Sequence, residues 1–250
     1  MTTSEVELVH AGPVATVTLR RPDVLNAQTP ATWLALRDIG RELPGDVRVV
    51  VVRGEGRAFS SGLDISGGGP SFIAEITALP PDAAADRILP YQEGFTWLHR
   101  PDIISVAAVQ GHAIGAGFQL ALACDLRVLA DDAQLTMAEV TLGLVPDLGG
   151  TKRLVELVGY ARALEICLTA RRLPAAEALS LGLATAVVPR DDLDGAVSDL
   201  VAAVLAGPRN AVVEIKALLA GAAGRSWPAQ LAAEREAQVR RLRDLAGLGE

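Results

Sequence analysis

The residue whose surroundings most strongly suggest chemistry is Glu139, set in the otherwise apolar stretch Leu135-Thr136-Met137-Ala138-Glu139-Val140. A carboxyl group there must be paired or shifted in pKa, and a shifted carboxyl suits proton transfer. A salt bridge or an exposed loop acid is the alternative. Two glycine-bearing stretches offer a different chemistry: Phe59-Ser60-Ser61-Gly62-Leu63-Asp64 and Gly111-His112-Ala113-Ile114-Gly115-Ala116-Gly117-Phe118-Gln119. Each reads as a strand-to-helix junction. Free backbone N–H groups at such a junction stabilise a developing oxyanion while carrying no charge themselves. The glycines would let a ligand approach closely, but tight packing of a turn against a helix explains the same spacing. The active site is expected around Gly115 to Gln119, opposite Glu139. Ser60 and Ser61 are nominal nucleophiles with no histidine close in sequence. The chain has no G-x-G-x-x-G after its first strand, no G-x-x-x-x-G-K-S/T loop and no G-x-S-x-G elbow.

These residues need elements to hold them. VELVH and VATVTLR predict a hairpin around Ala11-Gly12-Pro13. Thr29 reads as a helix cap with Pro30 at the first helical position, and Trp33, Leu36, Ile39 and Leu43 follow at helical spacing. VRVVVVR, residues 47 to 53, predicts a strand buried on both faces. Residues 66 to 82 read as a surface segment with a short helix near Phe72 to Leu79, and a helix carrying Phe95, Trp97 and Leu98 ends before Pro101. IISVAAV, residues 103 to 109, is a second buried strand leading through the glycine-rich turn into a helix. LRVLA, residues 126 to 130, is a third strand, and another helix begins around Gly149-Gly150-Thr151. Past residue 160 the pattern is mainly helical, with one more strand at Ala184 to Val188 and an amphipathic C-terminal helix.

Half of the 250 residues are hydrophobic but only 4% are aromatic, so one sizeable aliphatic core is expected. A net charge of −7 disfavours nucleic acid and anionic membrane as partners. The apolar run from Ile103 to Leu122 approaches membrane length, but Gln110, His112, Gln119 and several glycines interrupt it, which fits a buried strand, turn and helix better. Two cysteines in apolar surroundings and three scattered histidines do not suggest a metal site. The N-terminus lacks a basic segment followed by an apolar one, so a cytoplasmic location is the default.

Taken together, RPDVLNAQ, GRAFSSGLDI, VAAVQGHAIGAGFQLALACDLRVLA, AQLTMAEVTLGLVPDLGGTKRL and RLPAAEALSLGLATAVVP resemble the crotonase family, the enoyl-CoA hydratase/isomerase superfamily, over nearly the whole chain. The resemblance implies an α/β fold: a spiral of ββα repeats over residues 1–190 and a helical trimerisation region over residues 191–250. It implies homotrimers or hexamers, an acyl-CoA thioester as substrate, and no cofactor beyond the CoA moiety of that substrate. Two backbone N–H groups would hold the thioester oxygen; by position they are those of Leu63, after Gly62, and Ala116, after Gly115. Alanine at the second place departs from the usual glycine, though the backbone donor survives. Asn26 and Ala27 match the family turn near the CoA pocket, and Arg57 matches a position often basic there. Ser61, Asp64 and Gln119 complete the expected substrate or CoA contacts.

The acids match only in part. Family hydratases use two glutamates, which fall here on Gln119 and Glu139. Glutamine hydrogen bonds but is no general acid or base near neutral pH. Family enoyl-CoA isomerases need one glutamate, at the place of Glu139. Asp147 stands where hydratases usually have glycine and dienoyl-CoA isomerases carry an aspartate. The leading expectation is therefore isomerisation of a 3-enoyl-CoA to a 2-enoyl-CoA, with Glu139 as proton carrier and Asp147 assisting. Hydration by Glu139 and Asp147 is the close alternative, and a non-catalytic acyl-CoA-binding protein is a third.

Overall fold

The computed structural model describes residues 5–248. Strands β1 (Val6–Ala11) and β2 (Val14–Leu19) form the expected antiparallel hairpin. Helix α1 (Pro30–Glu42) starts from Thr29, whose hydroxyl accepts from the Thr32 N–H while the Thr32 hydroxyl accepts from the Thr29 N–H. Pro30 costs this helix nothing, because a first-turn residue has no intrahelical donor bond to lose. The predicted Trp33, Leu36, Ile39 and Leu43 face is buried.

Strand β3 (Val49–Gly54) runs parallel to β2. Two helices, α2 (Gly68–Thr77) and α3 (Pro81–Thr96), then precede β4 (Ile104–Val109), which pairs parallel to β3. The helix α3 continues through Pro90, an internal proline that the sequence reading did not place in a helix. Next come β5 (His112–Ile114), α4 (Ala116–Ala123), β6 (Leu126–Ala130) and β7 (Gln134–Thr136). Helices α5 (Gly150–Val158) and α6 (Tyr160–Thr169) are followed by β8 (Leu173–Pro174), α7 (Ala175–Ser180) and β9 (Ala186–Val188). The chain closes with α8 (Leu193–Ala206), α9 (Arg209–Ala222) and α10 (Trp227–Leu245).

The long sheet has the order β1-β2-β3-β4-β6-β9, and a short second sheet has the order β5-β7-β8. Each turn of the chain lays one strand in the first sheet and the next in the second: β4 then β5, β6 then β7. Ser60, just past β3, extends the same pattern through a parallel bridge to Ala113. This is the ββα spiral expected of the crotonase-type fold. The apolar run 103–122 resolves into β4, β5 and most of α4, and among the described residues no single helix is long and apolar enough to cross a membrane.

Alternation along the long sheet divides its two faces. Val50, Val52, Ala107, Val109 and Leu129 join the main core. Val49, Val51, Val106, Ala108 and Val128 face the other way and pack with Leu193, Val197 and Val201 of α8. Both faces of β3 are therefore covered, as its unbroken valine run requires. Because α8 supplies that second cover, residues 193–206 share the core of the sheet.

Lys216 anchors α9 to this body. Its ammonium, in a side chain 9% exposed, donates to Asp125 Oδ2 at 2.8 Å and to the Ile103 carbonyl at 2.8 Å. Asp125 Oδ2 also accepts from the Ser105 N–H and hydroxyl. Removing one partner of such a pair strands the other charge. Lys216→Met is expected to cost about 3 kcal/mol, read as a lower urea midpoint at unchanged slope.

Candidate active site

The spiral brings the two glycine junctions together. Gly62 has φ +82°, and a Cβ placed on it would lie 3.4 Å from the Ala116 nitrogen and 2.4 Å from the Ile114 oxygen. The backbones on either side of the future donors are thus in contact. Leu63 forms a parallel bridge with Gln28 in which Gln28 N–H donates to Gly62 O at 2.7 Å and Asp64 N–H donates to Gln28 O at 2.8 Å. That pattern uses the groups flanking Leu63 and turns the N–H of Leu63 away from the bridge. Ala116 is the first residue of α4, where an N–H has no intrahelical acceptor. Neither donor meets an acceptor among the described residues. Both residues line a cavity of about 660 Å³.

Glu139 opens a short 3-10 turn just past β7 and is 9% exposed. Its carboxylate lies beside the second junction: Oε1 would be 3.4 Å from a Cβ on Gly115, whose φ is +51°. Gln119, one turn into α4 and 1% exposed, donates its amide N–H to Glu139 Oε1 at 2.7 Å. Oε2 is buried without a hydrogen-bond partner. Burial pushes the Glu139 carboxyl above the usual carboxylate range, the Gln119 bond opposes that shift, and the charge of Asp147 adds to it. Asp147, from the loop before α5, also lines the cavity and is itself raised by burial. Its carbonyl accepts from the Gln92 amide at 2.7 Å, which fixes the loop.

The Asp64 carboxyl behaves oppositely. The Gly67 N–H first, then Arg21 and Ser66, hold it down at about 2. It is ionised throughout the neutral range, so it braces the loop after Leu63 and is no proton carrier there. Its contribution to stability is present above the unfolded value near 3.8 and is lost as pH falls through about 2.

Among the sequence-derived site residues, Ala27, Ser61, Gly62, Leu63, Asp64, Gly115, Ala116, Gln119, Glu139 and Asp147 share this one cavity. Asn26 and Arg57 are not on its wall. Asn26 is 1% exposed with φ +55°, and its side chain is spent on backbone: it donates to Glu55 O and Ala58 O and accepts from the Arg21 N–H. Arg57 is exposed on the loop after β3. The fully buried Ser60 hydroxyl donates to Asn26 O and accepts from Gln28 and the Gly62 N–H, so it holds the junction and faces no histidine. Ser61 donates to Val24 O.

Sequence reasoning missed three contributors. Arg21, which clamps Asp64, stands 43 residues from it. Gln28 ties α1 to the junction by accepting from the Trp33 indole and donating to Ser60. The apolar wall of the cavity includes Phe72, Ile73, Ile76, Ile88, Leu144 and Val145. Trp33 was read as core, and it both packs in the core and lines the cavity. The segment 66–97 supplies four of these apolar residues, Phe72, Ile73, Ile76 and Ile88.

The chain matches the family model described as enoyl-CoA hydratase/isomerase over residues 10–244. A Thermobifida fusca YX protein, described as a putative enoyl-CoA hydratase and solved in complex with acetoacetyl-CoA, is 49% identical with a TM-score of 0.91. The match covers 96% of each chain. The Rhodobacter capsulatus protein named as a probable enoyl-CoA hydratase is 34% identical over 90% of this chain and 84% of its own. The rat mitochondrial Delta(3,5)-Delta(2,4)-dienoyl-CoA isomerase is 35% identical over 71% of this chain and 56% of its own.

Proposed function

The chain belongs to the enoyl-CoA hydratase/isomerase family, and within it we propose that the enzyme moves the double bond of a 3-enoyl-CoA to the 2-position. It is a catalytic member of that family, acting on acyl-CoA thioesters. One observation carries the finer reading. The side chain of Gln119 accepts from two backbone N–H groups and donates one of its two amide N–H groups to Glu139, and as an amide it does not ionise, so it supplies no second acid or base. That leaves Glu139 as the carboxyl beside the two free N–H groups.

In this reading the thioester oxygen accepts from the N–H groups of Leu63 and Ala116. Glu139 takes a proton from C2, the C–H electron pair passes into the enolate, and the double bond shifts as the same carboxyl returns a proton at C4. The oxyanion donors act on charge that exists only once C2 is deprotonated, so they favour the transition state over the bound substrate. The raised pKa makes Glu139 a stronger base than an ordinary carboxylate, which suits it to take a proton from C2 and return one at C4.

Hydration is the second reading, favoured by one observation: Asp147 supplies another buried, raised carboxyl on the same cavity. The hydratase names of several relatives support it too. Incubating the enzyme with 3-enoyl-CoA and with 2-enoyl-CoA in deuterated water separates the two. Isomerisation converts the 3-enoyl-CoA to 2-enoyl-CoA with no added water in the product. Predominant 3-hydroxyacyl-CoA, seen by mass spectrometry, would overturn it as the main activity.

A homotrimer or hexamer remains our reading of the assembly. Tyr160, Leu164 and Leu168 form an exposed stripe along α6, the kind of surface a second copy covers.

A further inference from the structure

The amide of Gln119 is held in one orientation by the chain around it. Its Oε1 accepts from the Leu148 N–H at 2.9 Å and the Gly150 N–H at 3.2 Å. A flipped amide would set its own NH2 against both donors, which two buried N–H groups do not tolerate. Gly150 presses on the same side chain: a Cβ there would lie 2.7 Å from Gln119 Cγ. Orientation being fixed, the NH2 faces Glu139 Oε1 at 2.7 Å, and Oε2 is the oxygen without a partner.

We propose that Gln119 is a positioning residue for Glu139, binding Oε1 as an acceptor and fixing where the carboxyl sits on the cavity wall. Only glutamine meets both demands. It offers an acceptor to Leu148 and Gly150 and a donor to Glu139, and it brings no charge. A glutamate would satisfy the backbone donors but place a second carboxyl against Glu139, where the two must share a proton. An apolar side chain would strand the donors and release Oε1.

The groups facing Glu139 come from three elements: Gln119 from α4, Asp147 from the loop before α5, and Cys167 from α6. Asp147 repels the charged form. The Cys167 thiol is raised by burial and by Glu139 itself, so it stays neutral and donates no positive charge. The backbone N–H of Glu139 itself and, after it, the Gln119 side chain favour the ionised carboxyl, and Gln119 is the one side chain that does so.

The inference rests on the reading of Glu139 as proton carrier, and two measurements on the intact enzyme keep them apart. The first is the titration of Glu139 by carboxyl 13C NMR on 13C-labelled glutamate, assigned by loss of the signal in Glu139→Gln. The second is the pH profile of double-bond migration in 3-enoyl-CoA. In Gln119→Glu the two carboxyls share a proton, so the single titration of Glu139 is expected to split into two steps; in Gln119→Met it is expected to move to higher pH. The acid limb of kcat should move with it, so that kcat on that limb falls about tenfold, the size of one hydrogen bond to a charged group. KM should change much less, and the Met variant should recover much of its rate at alkaline pH. An unmoved Glu139 titration in both variants overturns the proposal even if Glu139→Gln is inactive. A moved titration in an enzyme that does not migrate double bonds upholds the positioning role and removes the isomerase reading. Gln119→Glu keeps the backbone donors satisfied, so the test survives if Gln119→Met fails to fold.

Discussion

Replacing Glu139 with glutamine should leave a folded protein whose proton transfer is slower by about 10³-fold, within the range lost when a general acid–base is removed. Glutamine preserves the shape of the side chain and can still accept from the Gln119 amide, so the local hydrogen bond persists. What disappears is the group that ionises. Stability should move the other way. The folded-state pKa of Glu139 is raised, so the stabilisation linked to its proton is present at low pH and fades as pH rises through that raised value. Above that raised value the wild type holds an ionised carboxylate with one oxygen buried and unpartnered, and Glu139→Gln removes that charge. The variant is expected to be at least as stable as wild type in urea above that pH while losing its turnover. For the wild type the same pKa sets the sign of the activity profile. The base form is needed, so kcat/KM climbs with pH through a window above the ordinary carboxylate range. Loss of activity together with loss of stability would instead make Glu139 a structural residue.

Much of this arrangement was legible because it depends on local chemistry. The β3 valines required two covered faces, Thr29 and Pro30 marked the start of α1, and an acid among apolar residues at 139 announced a shifted carboxyl. The glycine junctions were readable as places of close approach, but not as the same place, since their contact depends on the spiral stacking residue 62 on residue 114. Strands β5 and β7 have three residues each, too short for alternation to show. Long-range polar pairs leave no periodic trace, and the Arg21–Asp64 clamp and the lock on Gln119 are of that kind. For Asn26 the resemblance implied a place in the turn near the CoA pocket, and the bonds that its side chain makes to backbone groups there are not legible in the sequence. Its turn needs that bracing because two successive residues, Leu25 and Asn26, hold positive φ.

Gly62→Ala is expected to lower kcat by about 10², the cost of displacing one oxyanion donor. Two penalties coincide at this position. The backbone sits at φ +82°, where a Cβ costs about 1–2 kcal/mol. The same Cβ would lie 2.4 Å from the Ile114 oxygen, a contact no side-chain rotation relieves. Either β5 retreats or the loop carrying Leu63 does. Ile114 is two residues before Ala116 and Gly62 is one before Leu63, so each escape widens the gap between the two N–H groups. Their alignment matters most when the thioester oxygen is charged, so kcat should fall more than KM rises. Gly182→Ala separates this from general strain. Gly182 has φ +77° but nothing within 4 Å of a Cβ, in a turn outside the cavity. It should lose a similar amount of stability to backbone strain and keep its kcat. Equal kcat losses in the two variants would mean that strain, and not the spacing of the Leu63 and Ala116 donors, limits the reaction.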